Sequence, residues 1–174
     1  AIRFVVNQSA GSGSDSIGRI AAAGLAQVVG QQVVVENRGG AAGNIGADFV
    51  AKAPPDGYTW LLGSGSLAAN VSLYRNLNYD LLRDFAPVTE LASSPFIFVV
   101  HPSLPVKSMS ELVKLAKARP GAINYASAGI GSAGFLSAEL FKTLANIDLL
   151  HVPYTSGGQA ITAVLIGEVS VYSS

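Results

Sequence analysis

Four junctions in this chain follow one pattern. An apolar run that predicts a β-strand ends in a turn rich in glycine and serine, and a helical pattern follows. Glycine lets the backbone approach a ligand closely, and the next helix begins with unpaired N–H groups and a partial positive charge. Such a junction suits an anion, and four of them suggest a protein that holds one. The turns comprise residues 9–15, 63–66, 128–132 and 155–158.

The composition restricts the class of protein. Hydrophobic residues make up 49% of the 174 residues and charged residues only 13%, which supports a substantial core and excludes disorder. Lys+Arg and Asp+Glu both number 11, and this zero net charge argues against a nucleic-acid partner. The sequence has no cysteine, which excludes disulfides and thiolate chemistry. No apolar stretch approaches the length of a membrane span, so the chain is not expected to be membrane-embedded.

The first half of the chain alternates strand and helix patterns, which predicts an α/β fold with a mostly parallel sheet flanked by helices. Strands are predicted at 2–7, 33–35 and 58–62, with a loop at 36–43. A helix is predicted at 14–29, ending at Gly30, and a shorter one ends at 53. The core face of the long helix is expected to carry Ile17, Ile20, Leu25 and Val28.

Two extended segments, 86–91 and 96–100, follow each other without a helix between them. This break in the rhythm is interpreted as a crossing between two lobes, with 1–92 as lobe one and 93–174 as the crossover and lobe two. Lobe one is expected to lack a C-terminal return and lobe two to be incomplete as well. The final strand, 167–172, is expected to be uncovered, so the chain is interpreted as truncated.

In the second lobe the alternation of predicted strands and helices resumes. Ser108 and Glu111 form a capping-box pattern for a helix that runs to 119. Strands are predicted at 123–127 and 149–152. The two remaining helices are marked by two apolar sets, Leu136, Leu140 and Leu144 in one, and Ala160, Ile161, Val164 and Leu165 in the other.

Residues 129–134 match the dinucleotide-binding pattern G-x-G-x-x-G, so an oxidoreductase that uses Gly129–Gly134 is one alternative function. The acidic residue that contacts the ribose belongs at the carboxyl end of the next strand. Asp148 precedes that strand instead, which counts against this alternative.

The sequence offers little for catalysis. It contains no G-x-S-x-G nucleophile elbow, no spacing typical of metal ligands and no nameable acid–base pair. The two histidines, His101 and His151, are interpreted as structural. These absences favour a binding protein without a cofactor or metal over an enzyme.

Two loops invite specific expectations. In the first turn, Ser14 or Asp15 can cap the helix, while Gly11 and Gly13 can direct their N–H groups outward. In the second loop, Arg38 is the only cation at a strand end. It could contact a carboxylate or brace the loop, and bracing is slightly favoured.

Several stretches resemble the substrate-binding proteins of tripartite tricarboxylate transporters, the Bug or TctC-type family. In the family's order they are GSGSD at 11–15, VVVENR at 33–38, GNIGA at 43–47, APPDGYT at 53–59, DFAPVT at 84–89, NYAS at 124–127, HVPY at 151–154 and GEV at 167–169. Together they cover nearly the whole chain.

This resemblance implies a two-lobed periplasmic binding protein of type II-like fold from a Gram-negative bacterium. The receptor would close around a small carboxylate, from a mono- to a tricarboxylate or an acidic amino acid, and deliver it to membrane permease subunits. It would act as a monomer. A ligand-sensing module of the same bilobal fold is a further alternative.

The resemblance also implies the ligand contacts, which are mainly backbone N–H groups and hydroxyls. Lobe one would supply Gly11, Ser12, Gly13, Asp15, Gly63 and Ser64. Lobe two would supply Ser127, Ala128, Gly129, Ser132, Ala133 and Gly157.

The chain departs from the family in two respects. The family usually has a Pro-Phe-Pro-like segment where this chain has Asn7, Gln8 and Ser9, so polar groups are expected to replace an aromatic pocket wall. Family members are also nearly twice as long.

Overall fold

A computed structural model describes residues 1–173, which form two compact units. The first unit is Ala1–Ser94, and the second begins at Pro95. Among the described residues, no helix combines the length and the apolar character needed to cross a membrane.

The first unit contains a three-stranded parallel sheet with β1 in the middle, in the order β2-β1-β3. Its core strand is buried at Phe4, Val5 and Val6, as a sheet covered on both faces requires. The strands are β1 (Ile2–Val6), β2 (Val33–Asn37) and β3 (Thr59–Leu62). The helices are α1 (Gly13–Val29), α2 (Asn44–Ala51) and α3 (Ser66–Leu73), with a 3₁₀ turn at Ala41–Gly43.

The second unit contains a four-stranded sheet in the order β4-β7-β5-β6. Strands β5, β6 and β7 are parallel, and β4 pairs with β7 in the antiparallel direction. The strands are β4 (Phe98–Val100), β5 (Asn124–Ser127), β6 (Leu150–Pro153) and β7 (Val171–Ser173). The helices are α4 (Met109–Ala118), α5 (Ala133–Ala145) and α6 (Gly157–Leu165).

The predicted α/β class with mostly parallel sheets is confirmed, but some segments differ. Residues 86–91 form no strand, and of 96–100 only Phe98–Val100 does. The loop predicted at 36–43 is wrong at its start, because Glu36 and Asn37 continue β2 as neighbours of Val5 and Val6.

The final strand was expected to be uncovered, and that expectation is wrong. Strand β7 lies between β4 and β5, and Val169 and Val171 are almost fully buried. The pairing could not be read from local pattern, because the antiparallel partner of β7 lies at the beginning of the unit.

The predicted core face of α1 is wrong at two of its four residues, since Ile17 and Leu25 are half-buried but Ile20 and Val28 are not. Ile20 and Val28 are 75% and 84% exposed, whereas Gly18 and Ala22 are buried. In α5, the leucine stripe is likewise turned outward at Leu140 and Leu144. Small residues allow the helix backbone to lie close to the sheet, so the small positions, rather than the largest apolar ones, mark the buried face of α1.

The capping box of α4 is confirmed with one difference. The Ser108 hydroxyl accepts from the N–H of Glu111 at 3.2 Å. The Glu111 carboxylate accepts from the N–H of Lys107 at 2.7 Å, one residue before the cap.

Two glycines of α1 test how closely this helix lies on its sheet. A methyl group at Gly18 would lie 2.8 Å from Val6 Cγ2 and 3.2 Å from a methyl of Leu62, whereas one at Gly24 meets nothing within 4 Å. We expect Gly18→Ala to lower the free energy of unfolding by about 1–3 kcal/mol through overpacking. Gly24→Ala should raise it by up to about 1 kcal/mol through helix propensity. Denaturant midpoints measure both, and equal shifts in the same direction would contradict the packing of α1.

Candidate functional site

Three of the four glycine- and serine-rich turns end in the same structure, a serine that caps the following helix. In each, the serine hydroxyl accepts a hydrogen bond from the third N–H of the helix, as an N-cap residue does. The pairs are Ser12 with Asp15 at 3.2 Å, Ser132 with Phe135 at 3.2 Å, and Ser156 with Gln159 at 3.3 Å. The helix that follows the remaining turn, at 63–66, is α3, and it has no side-chain cap.

This cap leaves the first two N–H groups of each helix available. No hydrogen-bond acceptor within residues 1–173 pairs with these amides. They belong to Gly13 and Ser14 in α1, Ala133 and Gly134 in α5, and Gly157 and Gly158 in α6. Because the positive end of each helix dipole lies at the same place, each terminus can hold a negatively charged oxygen.

The expected caps of α1 are wrong, because Ser12 rather than Ser14 or Asp15 caps the helix. The expectation that Gly11 directs its N–H outward is also wrong. That N–H donates to Asp15 Oδ2 at 2.9 Å, and Gly11 adopts a positive φ of 80° to make the turn. Gly13 does keep an N–H without a partner among the described residues.

Asp15 is buried and ties the first turn to its neighbours. Besides the Gly11 N–H, its carboxylate accepts from Asn37 Nδ2 at 3.0 Å and lies 3.0 Å from Arg19 Nε. These contacts, the Gly11 hydrogen bond first and Arg19 next, lower the pKa of Asp15 despite burial. The carboxylate is therefore charged and already surrounded by donors from its own unit.

Asn7 connects the turns after β1 and β3 and is fully buried. Its Oδ1 accepts from the Ser64 N–H at 3.2 Å, and its Nδ2 approaches Ser64 Oγ at 3.4 Å. The Ser64 hydroxyl also lies 2.7 Å from Ser66 Oγ. Asn7 thus braces the loop at Gly63 and Ser64 from inside the unit, a role that sequence analysis missed when it assigned residues 7–9 to a pocket wall.

Arg38 braces the second loop. Its Nε donates to Glu36 Oε1 at 2.9 Å, and its guanidinium lies 3.6 Å from the centre of the Phe49 ring. Arg3 also donates to Glu36, at 2.8 Å. Both arginines lower the pKa of Glu36, with the Arg3 hydrogen bond as the largest cause.

In the second unit, Ser127 and His151 organise the turn after β5. Ser127 is fully buried, and its Oγ shares a hydrogen bond of 2.7 Å with His151 Nε2. The same oxygen accepts from the Gly129 N–H at 3.1 Å. The His151 ring lies 4.8 Å from each of the Tyr125 and Phe135 rings. Burial lowers the pKa of His151, although Glu139 opposes this effect.

The remaining predicted residues lie along the same turn and the next. Gly129 makes the turn with a φ of 102°, Ala128 precedes it, and the Ser132 N–H donates to the Gly129 carbonyl at 3.1 Å. The N–H of Tyr154, which opens the loop before α6, donates to the Ser127 carbonyl at 3.0 Å, so the loops leading to Ala133 and Gly157 are neighbours.

The geometry of residues 129–134 does not complete a dinucleotide site. Asp148 precedes β6, and its carbonyl accepts from the Gly121 N–H, at the end of the sheet opposite the glycine turn. Pro153 and Tyr154 stand where the ribose-binding acid would be.

A family model described as "Tripartite tricarboxylate transporter family receptor", TctC, matches residues 17–174. The chain belongs to this family. Protein BugT of Bordetella pertussis is 37% identical over 171 residues, which cover 97% of this chain and 52% of BugT. The chain spans about half the length of the curated relatives it matches.

Solved structures agree with the family. The Rhodopseudomonas palustris protein Rpa4515, solved with adipate, superposes with a TM-score of 0.94 at 38% identity and covers 99% of this chain and 58% of its own. MatC (Rpa3494) from the same organism, solved with bound malate, has a TM-score of 0.90 at 32% identity, with 99% and 59% covered. The predicted Bug/TctC resemblance and periplasmic binding protein fold are confirmed.

The buried Asp15 carboxylate provides a test of the first turn. An asparagine supplies one acceptor oxygen and turns an NH₂ group toward the donors of Gly11, Arg19 or Asn37. We expect Asp15→Asn to lower the free energy of unfolding by about 1–3 kcal/mol at pH 7. Because the pKa of Asp15 is lowered on folding, its contribution is complete above 3.8 and declines as pH falls through the folded value.

The matched control is Glu90→Gln, which removes an exposed charge whose carboxylate has no hydrogen bond within the described part of the chain. Urea unfolding at pH 7 and pH 3 measures both variants. If Asp15→Asn lost the same unfolding free energy at pH 7 and at pH 3, the stabilising role of the Asp15 charge would be contradicted.

His151 gives a second test through pH. Its pKa is below 6.5 in the folded unit, so the unfolded chain binds the proton more readily. Stability should be complete above pH 6.5 and fall as pH decreases from there, by at most about 1.4 kcal/mol per pH unit for a single proton. His151→Gln keeps a polar group beside Ser127 and should remove this component. If the wild type and His151→Gln showed the same dependence of unfolding free energy on pH between pH 5 and 7.5, the lowered pKa of His151 would be contradicted.

Proposed function

We propose that this protein is a periplasmic solute-binding receptor that captures a small carboxylate between its two lobes and is not an enzyme. The lobes of this proposal are the segments 1–92 and 93–174. The receptor delivers its ligand to the permease subunits of a tripartite tricarboxylate transporter and works as a monomer. Membership of a receptor family supports the proposal, as do relatives solved with adipate and with malate.

The observation that carries the proposal is the set of unpaired amides at three serine-capped helix termini. Each terminus offers two N–H groups on a helix of nine or more residues. Two adjacent N–H groups match the two oxygens of a carboxylate, and the helix dipole adds a favourable field. Recognition of this kind uses no lysine or arginine, which agrees with the pairing of Arg38 and Arg19 to carboxylates of the protein itself.

The magnitudes are compatible with this mode of binding. A hydrogen bond to a charged group contributes about 1.5–3 kcal/mol net. About four to six such bonds, less an association cost of several kcal/mol, leave roughly micromolar affinity.

Within this proposal the predicted site residues divide into two roles. Gly13, Ala133 and Gly157 supply free N–H groups to the ligand. The others orient the turns that present these amides: Gly11, Ser12, Asp15, Gly63 and Ser64 in the first unit, and Ser127, Ala128, Gly129 and Ser132 in the second.

The ligand class can be tested by isothermal titration calorimetry on the complete gene product. The panel contains adipate, malate, succinate, citrate, aspartate and glutamate, with the neutral diamide of adipate and NAD as controls. We expect at least one acid to bind with a roughly micromolar dissociation constant, because carboxylate oxygens match the free amides. The diamide and NAD should not bind. Tight NAD binding without a response to any acid would favour the dinucleotide alternative.

A further inference from the structure

The hydroxyl of Tyr172 is unusual among the buried polar groups of the second unit. The side chain is only 6% exposed and packs beneath α6 with Ala160, Ala163 and Val164. Its hydroxyl has no hydrogen-bond partner within residues 1–173, and the hydroxyl oxygen is not completely enclosed. The ring is therefore held in the core while the oxygen keeps an opening.

The hydroxyl lies at the beginning of α6. A side-chain carbon built on Gly157 would lie 3.0 Å from the Tyr172 hydroxyl oxygen. Such a separation is closer than an ordinary contact, so the glycine leaves the space in which the hydroxyl sits. The hydroxyl thus lies beside Gly157, the first residue of α6, whose N–H has no partner within residues 1–173.

Other tyrosines of the same unit behave differently. The Tyr125 hydroxyl donates to Glu139 at 2.6 Å, and the Tyr154 hydroxyl donates to Glu168 at 3.1 Å. Buried hydroxyls usually have a partner, because an unmade hydrogen bond costs free energy. The exception at Tyr172 coincides with a helix terminus whose amides also have no partner in the described chain.

We propose that Tyr172 is a specificity-determining residue whose hydroxyl donates a hydrogen bond to a ligand carboxylate held at the N-terminus of α6. The inference rests on the proposed function and deepens it. The Tyr172 hydroxyl lies beside Gly157 at the positive end of the α6 dipole, so the O–H and the free N–H groups of this terminus all favour a negatively charged acceptor. The packed ring fixes the hydroxyl in place, so little side-chain entropy is lost on binding.

The substitution Tyr172→Phe removes only the oxygen and keeps the ring in the core. Calorimetry with adipate and with malate on the complete gene product should show binding weakened about tenfold to a hundredfold for the acid that binds more tightly. The unliganded melting temperature should stay unchanged, because the hydroxyl has no protein partner to lose.

Tyr154→Phe is the matched control. This ring packs against the same cluster, and its hydroxyl contacts Glu168 on the protein. We expect wild-type affinity from this variant.

The possible outcomes separate the two proposals. If the wild type binds an acid and Tyr172→Phe binds it equally well, the role of Tyr172 is wrong and the proposed function stands. A lower melting temperature with unchanged affinity would assign the hydroxyl a structural role and also overturn the inference. If the wild type binds no acid of the panel, both proposals fail.

Discussion

The hydrogen bond from a helix amide to a serine hydroxyl determines the geometry of three of the predicted turns. It satisfies the third N–H of the helix and leaves the first two without a partner in the described residues. Without the cap, the chain entering the helix would be less restrained, and the directions of the free N–H groups would be less well fixed. Which amides of these three helices stay free follows from this one contact.

Buried polar side chains keep these turns in place. Asn7, Asp15 and Ser127 are all nearly inaccessible, and each binds backbone N–H groups of a glycine- or serine-rich turn. Burying such groups is favourable only when their hydrogen bonds are satisfied, so their contacts restrict the loops to few conformations. The anchors and the free donors are different residues, which separates stability from binding.

Much of the fold could be predicted from the sequence, because strands ending in glycine- and serine-rich turns and capping patterns are local signals. The turn at Gly129 and the cap at Ser108 are examples. The seating of α1 could not be predicted, because Gly18 and Ala22 face the sheet while Ile20 does not. Hydrophobic period alone gives no information about how closely a helix approaches its strands. For the site, the residue types were predictable, but the pairing of Gly11 with Asp15 and the position of Tyr172 depend on contacts between distant segments.

The position of β7 has a consequence for how the second unit is made. Phe98 pairs with Ser173, so nearly the whole unit separates the two strands in sequence. As the chain leaves the ribosome, β4 is synthesised first and, among the strands of residues 1–173, pairs only with β7, which emerges much later. Contacts with such wide separation form slowly, and an unpaired strand is open to pairing with other chains in the meantime. Strand β4 is therefore protected from pairing with other chains only after β7 has been synthesised.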